Sequence, residues 1–270
     1  MTPISKTFTE LKQQNRAALI AYITMGDPSL KNTPRLASAL IEGGADIIEL
    51  GIPFSDPIAD GPTIQAAVQR SLMNGARPVH AFKVAREIGE RYDTPLVLMT
   101  YYNPIFRHGL NKFLSSAKRA GISGIIVPDL PVEESADYKK CCVSSSIDTI
   151  FLASPSTEQQ RLKEIISRTT GYLYLISLYG VTGVRRILPP STLELVEKYS
   201  VAVDGSVPLA VGFGISQPKH VRDLVHAGAD GVIVGSAFVK IVEENGRNVA
   251  RASAKLSQLA RSLKKAATRT

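Results

Sequence analysis

Gly43-Gly44-Ala45-Asp46-Ile47-Ile48-Glu49-Leu50-Gly51 is the stretch that decides the fold. Its two glycines stop the helix expected over 32–42, and the β-branched run behind them begins a strand expected over 46–51. The same order returns in Ala120-Gly121-Ile122-Ser123-Gly124-Ile125-Ile126 and in Ala227-Gly228-Ala229-Asp230-Gly231-Val232-Ile233. The common geometry of helix-to-strand turns is enough to produce this likeness, and either way it fixes strand starts.

Outward from that stretch, short apolar runs alternate with longer amphipathic ones along the whole chain. Strands are expected over 19–24, 46–51, 96–101, 124–127, 149–153, 173–178, 209–211 and 231–234. Helical patterns lie between them, over 32–42, 79–92, 111–120, 134–144, 159–167, 191–198 and 219–227. Eight β/α units on one uninterrupted chain predict an α/β fold, a closed (β/α)8 TIM barrel occupying residues 1–270 as one domain. An amphipathic segment over 4–14 and a helical stretch over 62–73, after the second strand, are additions to the minimal plan.

Composition narrows the class. With 270 residues, 44% hydrophobic and 21% charged, the chain has ample material for a large core. Its two cysteines, Cys141 and Cys142, are adjacent, which gives neither a disulfide framework nor metal-ligand spacing and points to a reduced cytoplasm. The first dozen residues are polar, and no apolar run approaches the roughly 18 residues of a membrane span, so neither export nor insertion is expected. The formal charge of +8 owes much to Arg251, Lys255, Arg261, Lys264, Lys265 and Arg269. Those cations follow a helical pattern with Ala252, Leu256, Leu259 and Leu263 and read as a solvated helix face. Few aromatics accompany them, so a nucleic-acid platform is not expected.

Chemistry is expected at the C-terminal ends of the strands. Glu49, Asp60, Tyr101, Asn103, Asp129, Tyr174 and Ser177 fall there. Ile47, Glu49 and Gly51 share one strand face, which leaves Glu49 a carboxylate among apolar neighbours and a candidate for a raised pKa. Asp60 lies on the loop Ile52-Pro53-Phe54-Ser55-Asp56-Pro57-Ile58-Ala59-Asp60-Gly61 and is expected to stay ionised, although a helix cap before Pro62 explains it equally well. Two carboxylates held in different surroundings can divide into acid and base.

The second constellation is late and rich in glycine: Gly180-Val181-Thr182-Gly183, Gly212-Phe213-Gly214-Ile215-Ser216 and Gly235-Ser236-Ala237. Each piece alone is an ordinary turn. Together they follow the last three strands, where barrels of this kind bind phosphate on exposed amides, and they imply a small phosphorylated substrate. Tyr22, Met99, Tyr101, Ile126, Leu152 and Phe213 would then offer an apolar wall to a flat group. His80, His108, His220 and His226 have no metal-site spacing, so no metal is expected; no lysine falls at a strand end, which argues against Schiff-base chemistry.

Taken in order, Glu49 to Gln65 (ELGIPFSDPIADGPTIQ), Gly26-Asp27-Pro28, Val127-Pro128-Asp129-Leu130-Pro131, the Gly180 to Gly183 loop and the Gly212 to Gly214 turn resemble the tryptophan synthase alpha subunit family over essentially the whole chain. The resemblance implies a lyase of tryptophan biosynthesis. It would cleave indole-3-glycerol phosphate to indole and glyceraldehyde 3-phosphate and pass indole to a beta subunit in an alpha2beta2 tetramer, with pyridoxal phosphate on that partner and no cofactor on this chain. It implies Glu49 as general acid and base, Asp60 as the group holding the indole N–H, and Tyr174 as the tyrosine beside the glutamate. It further implies Thr182 as a closing residue, Gly183, Phe213, Gly214, Gly235 and Ser236 on the phosphate side, and Tyr22, Ile64, Met99 and Ile126 on the indole side. The 53–60 loop and Asn103-Pro104 would meet the beta subunit. Tyr22 stands where phenylalanine is common in the family, and its hydroxyl needs a partner. Another phosphate-binding barrel enzyme of the pathway and a non-catalytic activator are the alternatives. The first would be expected to place a lysine or cysteine at a strand end; the second has no use for an intact Glu49 and Asp60.

Overall fold

Glycine sets the strand starts as expected. Gly44, Gly121 and Gly228 take φ of +99°, +79° and +104°, values that a side chain strains to adopt. The aspartates of the repeat serve the turn that follows: Asp46 Oδ2 accepts from the Leu19 amide at 2.6 Å, and Asp230 Oδ2 accepts from the Leu209 amide at 2.8 Å. Each thereby ties the start of its own strand to the neighbouring one.

A computed structural model describes residues 1–176, 188–212 and 214–269. Its strands are β1 (Ala18–Thr24), β2 (Ile47–Gly51), β3 (Leu96–Met99), β4 (Ile122–Ile126), β5 (Asp148–Ile150), β6 (Leu152–Ala153), β7 (Leu173–Ile176), β8 (Leu209–Gly212) and β9 (Gly231–Val234). They pair in parallel in the order β5-β4-β3-β2-β1-β9-β8-β7-β6. β5 and β6 are two halves of one extended run interrupted at Phe151, whose carbonyl accepts from the Tyr174 amide at 3.0 Å. One half pairs with β4 and the other with β7, so the ring closes as an eight-stranded barrel.

The helices are α1 (Pro3–Gln13), α2 (Thr33–Glu42), α3 (Pro62–Met73), α4 (His80–Gly89), α5 (Tyr102–His108), α6 (Leu110–Arg119), α7 (Ala136–Ser144), α8 (Gln159–Arg168), α9 (Pro190–Val203), α10 (Pro218–His226), α11 (Ser236–Asn245) and α12 (Val249–Ala266). Both expected additions are present, as α1 and α3. Several boundaries differ from the sequence reading: α4 ends at Gly89 rather than 92, α9 runs on to Val203 rather than 198, and α5 is an unexpected helix. The third strand stops at Met99 because Tyr101 already caps α5, and the fourth starts at Ile122, two residues before Gly124.

The reason for a glycine at 124 is inside the barrel. Ile4, Phe8 and Leu11, spaced along one face of α1, are buried with Ala18, Ile20, Ile47, Val97, Ile126 and Tyr172. A Cβ at Gly124 would lie 2.8 Å from Ile4 Cδ1 and 3.1 Å from Ile150 Cδ1. α1 therefore stoppers the lower end of the barrel, and small residues make room for it. Gly124→Ala is expected to lower stability by about 1–3 kcal/mol through overpacking, read as a lower urea midpoint with an unchanged slope.

At the other end of the chain, α12 buries Ala252, Leu256, Ala260 and Leu263. It approaches α2 closely enough that a Cβ at Gly43 would meet Ala260 Cβ at 2.7 Å. Arg251, Lys255, Arg261 and Lys265 face solvent as expected. Lys264 does not: it is 9% exposed and its Nζ donates to Asp46 Oδ2 at 2.6 Å and to the Ala17 carbonyl at 3.2 Å. The helical period places it on the inner edge, where only a paired cation is tolerated. Arg269 likewise pairs with Asp230.

Candidate active site

Parallel register sets Tyr22 beside Glu49 and Glu49 beside Val97, all on neighbouring strands. Glu49 is completely buried. Its Oε1 accepts from Tyr172 Oη at 2.6 Å, while Oε2 has no hydrogen-bond partner among the described residues. Burial pushes its pKa up to about 7, and the Tyr172 hydrogen bond opposes only part of that rise. The raised pKa expected from an isolated carboxylate on an apolar strand face is thus present. Tyr172→Phe is expected to move the acidity of Glu49 further upward, seen as a higher apparent pKa in the pH profile of turnover, with a rate change below about tenfold.

Asp60 hangs from the β2–α3 loop. Tyr101 Oη donates to Asp60 Oδ2 at 3.1 Å and accepts from the Ala59 amide at 3.0 Å; Gln65 Nε2 donates to the Asp60 carbonyl at 2.7 Å. Gly61 then caps α3, and Pro62 starts it with the fixed φ that a first turn requires. The loop tucks the carboxyl inward, and desolvation raises its pKa to about 6, against the weaker effect of the Tyr101 bond. Asp60 remains mainly ionised at neutral pH. The two carboxyls nevertheless differ by less than a solvated loop aspartate would suggest.

Above them opens a cavity of about 720 Å³ at the C-terminal ends of the strands. Asp60, Gly61 and Ile64 line one side, Tyr22, Met99, Leu152 and Tyr174 the floor and wall, and Gly212, Gly214, Gly235 and Ser236 the far side. That far side suits an anion. Gly214 has φ +66°, and α11 opens at Ser236 behind Gly235 with no side-chain cap, which leaves its first amides for a ligand. A Cβ at Gly212 would lie 2.9 Å from Tyr174 Cε2, and one at Gly51 would lie 2.2 Å from Tyr22 Oη. Glycine at 51 thus accommodates the extra hydroxyl of Tyr22, which sits 3.3 Å from Thr24 Oγ1.

Three expected residues stand elsewhere. Glu49 lies beneath the cavity rather than on its wall, Tyr101 supports Asp60 from behind, and Ile126, at the end of β4 beside the cavity-lining Met99, is buried in the cluster that holds Ile4 and Ile150. The tyrosine bonded to Glu49 is Tyr172, whereas the expected Tyr174 lines the cavity two residues on. Alternation carried a signal for Tyr172, since residues 172, 174 and 176 share one face. An aromatic residue at the start of a strand otherwise reads as core. Thr182, Gly183 and Phe213 lie outside the described residues, as do the rest of the 180–183 loop and Ser177. Among the described residues no group of three His, Cys, Asp or Glu side chains could hold a metal ion.

A closed (β/α)8 barrel with two carboxyls of raised pKa near one cavity, and open amides across from them, defines a barrel enzyme suited to acid–base chemistry on a small phosphorylated molecule. The sequence model of the family described as "Tryptophan synthase alpha chain" matches residues 8–268. The chain belongs to that family. It is 52% identical over 262 residues to the tryptophan synthase alpha chain of Methanosarcina acetivorans, spanning 97% of this chain and 92% of the relative. With the Arabidopsis thaliana alpha chain it shares 43% over 242 residues, spanning 90% and 87%. A chain from the solved tryptophan synthase α2β2 complex of Pyrococcus furiosus superposes with a TM-score of 0.85 at 45% identity, covering 92% of this chain and 98% of that one.

Proposed function

We propose that this chain cleaves indole-3-glycerol phosphate to indole and glyceraldehyde 3-phosphate and hands indole to a tryptophan synthase beta subunit. The observation that carries the reading is Glu49: a wholly buried carboxyl whose pKa of about 7 suits it both to give and to take a proton near neutrality. In the retro-aldol step a carboxyl proton goes to indole C3, the glycerol C1 hydroxyl loses its proton to become the aldehyde, and the bond between C3 and C1 breaks. Charge is conserved because one proton is delivered and one is recovered.

Asp60, mainly ionised at pH 7, holds the indole N–H as positive charge spreads into the ring. The amides at Gly214, Gly235 and Ser236 hold the phosphate. Tyr22, Ile64, Met99 and Tyr174 bracket the ring, and Tyr101 fixes Asp60 without touching substrate. Since Glu49 is bonded to Tyr172 beneath the cavity, it delivers its proton after turning away from that hydroxyl. The family resemblance assigns Thr182, Gly183 and Phe213 to the same substrate site and pyridoxal phosphate to the beta partner. A cytoplasmic alpha2beta2 assembly follows from that partnership.

The test is release of indole from indole-3-glycerol phosphate by the purified chain, with and without a beta subunit. Weak release alone and a large rise with the partner are expected, because loop ordering excludes water from the site. No indole under either condition would overturn the reading.

A further inference from the structure

β1 lies between β9 and β2 in the barrel, and the segments that follow these three strands meet at one guanidinium. Arg70, on α3 behind β2, donates through Nε to Asp27 Oδ1 at 3.0 Å and through Nη2 to Asp27 Oδ2 at 2.8 Å. Asp27 stands in the turn after β1 and is buried. The third arm, Nη1, donates to Glu243 Oε1 on α11, behind β9, at 2.8 Å. A planar fork held at both carboxylate oxygens has little freedom to swing, so Asp27 sets the direction of that third arm. Neighbouring bonds anchor α3 to the same turn: Asn74 Nδ2 donates to the Pro28 carbonyl at 2.7 Å, and the Ser71 hydroxyl donates to the Met25 carbonyl.

Both helices joined by this fork begin at the cavity. α3 starts directly behind Asp60 and Gly61, and α11 starts at Ser236 behind Gly235. At the helical rise Arg70 stands about 12 Å along α3 and Glu243 about 10 Å along α11, so their contact holds the two helices side by side with their starts about level. Ile64, Ala67 and Val68 of α3 pack with Val239 of α11 and with Tyr22. Apolar packing keeps the helices together but has no preferred direction, and it does not by itself stop them sliding along their shared seam. The charged fork fixes that register.

We propose that Arg70 is a positioning residue that fixes the separation between the ring side of the site, at Asp60 and Ile64, and the phosphate side, at Gly235 and Ser236, and thereby selects substrates by the length of the chain joining ring and phosphate. The inference rests on the substrate proposed above and adds how its length is measured. Neither Arg70 nor Glu243 lines the cavity, so both act through the helices they join. The three-carbon spacing of indole-3-glycerol phosphate reaches both sides when the helices are in register. A longer chain is rejected because neither helix can yield alone.

The experiment compares the full parent chain with E243A and R70K. Dissociation constants are measured for indole-3-propanol phosphate and indole-3-butanol phosphate, which place three and four carbons between ring and phosphate, and for indole and glycerol 3-phosphate as the separate halves. E243A cuts the strut at its exposed end and leaves the bond between Arg70 and Asp27 intact, so its urea midpoint is expected to match the parent. R70K keeps a cation beside the buried Asp27, but an ammonium cannot span both carboxylates in a fixed fork. The parent is expected to prefer the three-carbon ligand about tenfold, and both variants to narrow that preference to about twofold, while each separate half binds within about twofold of the parent value. A parent indifferent to length, or an unchanged preference in E243A, overturns the proposal. So does a loss of affinity for the separate halves as large as that for the joined ligands, which would mark a merely structural bond. A parent that binds neither joined ligand overturns the substrate assignment itself, a separate outcome with which this proposal also falls.

Discussion

Glu49→Gln is expected to slow indole release by about 10³-fold, close to 4 kcal/mol in barrier, with little change in affinity for indole-3-glycerol phosphate. The amide keeps an acceptor for the Tyr172 hydroxyl, 2.6 Å from Oε1 in the parent, and nearly the same volume in a fully buried place. What it removes is the exchangeable carboxyl proton. Single-turnover rates and binding of a non-cleavable analogue separate the two effects; near-parental turnover would eliminate the acid role.

The same substitution has an opposite signature in stability. Glu49 has an ordinary value of 4.5 and a folded value of about 7, so between those values the native state holds the proton that the unfolded chain gives up. Native protein binding more protons means that stability falls as pH rises through that window, by about 3 kcal/mol from this group when complete. The parent should therefore lose stability between about pH 4.5 and pH 7 by that mechanism, and Glu49→Gln should be flatter over the same range. Urea titrations at pH 5 and pH 8 read it directly. A buried acid kept for chemistry is a burden to the fold at neutral pH.

Asp60→Asn is expected to cost about 10²–10³ in turnover, because a fixed negative charge facing the indole nitrogen is lost while the hydrogen bond from Tyr101 is retained. Its pH dependence gives the sharper result. With a pKa raised to about 6 by desolvation, Asp60 is neutralised as pH falls through that value, so the parent rate should drop on the acid side. The asparagine variant should lack that limb and keep the one that reports Glu49. If the acid limb near pH 6 persists in Asp60→Asn, the charge of Asp60 is not what supports turnover. Because the two carboxyls share one site, the apparent values belong to the pair.

Much of this was legible in the chain before any coordinates. The repeated glycine turns gave strand starts because positive φ is a local demand, readable one residue at a time. Glu49 stood out because alternation placed it among apolar neighbours. The companions of the carboxyls were harder to see, since they come from distant sequence. Tyr101 reaches Asp60 across 41 positions, and Tyr172 reaches Glu49 across 123. Neither separation leaves a periodic trace. The start of α5 was hidden for a different reason: Tyr101 and Tyr102 prolong an apolar strand pattern, and Pro104 reads as a loop although a first helical turn accepts it. The inward turn of Lys264 depended on packing against α2, which charge spacing alone does not encode.

The α1 stopper gives the barrel a direction. With Ile4 and Phe8 wedged among Ala18, Ile20 and Tyr172, the lower half is solid, and the cavity opens toward the upper rim. Among the described residues the cavity opens at the upper rim, where Ile58 lines it and, like Phe106 on α5, stands exposed. A partner seated on those residues would cover the mouth, so release into solvent and delivery to a neighbour become competing fates of one molecule. Closing the floor makes the barrel a vessel that empties at a single end.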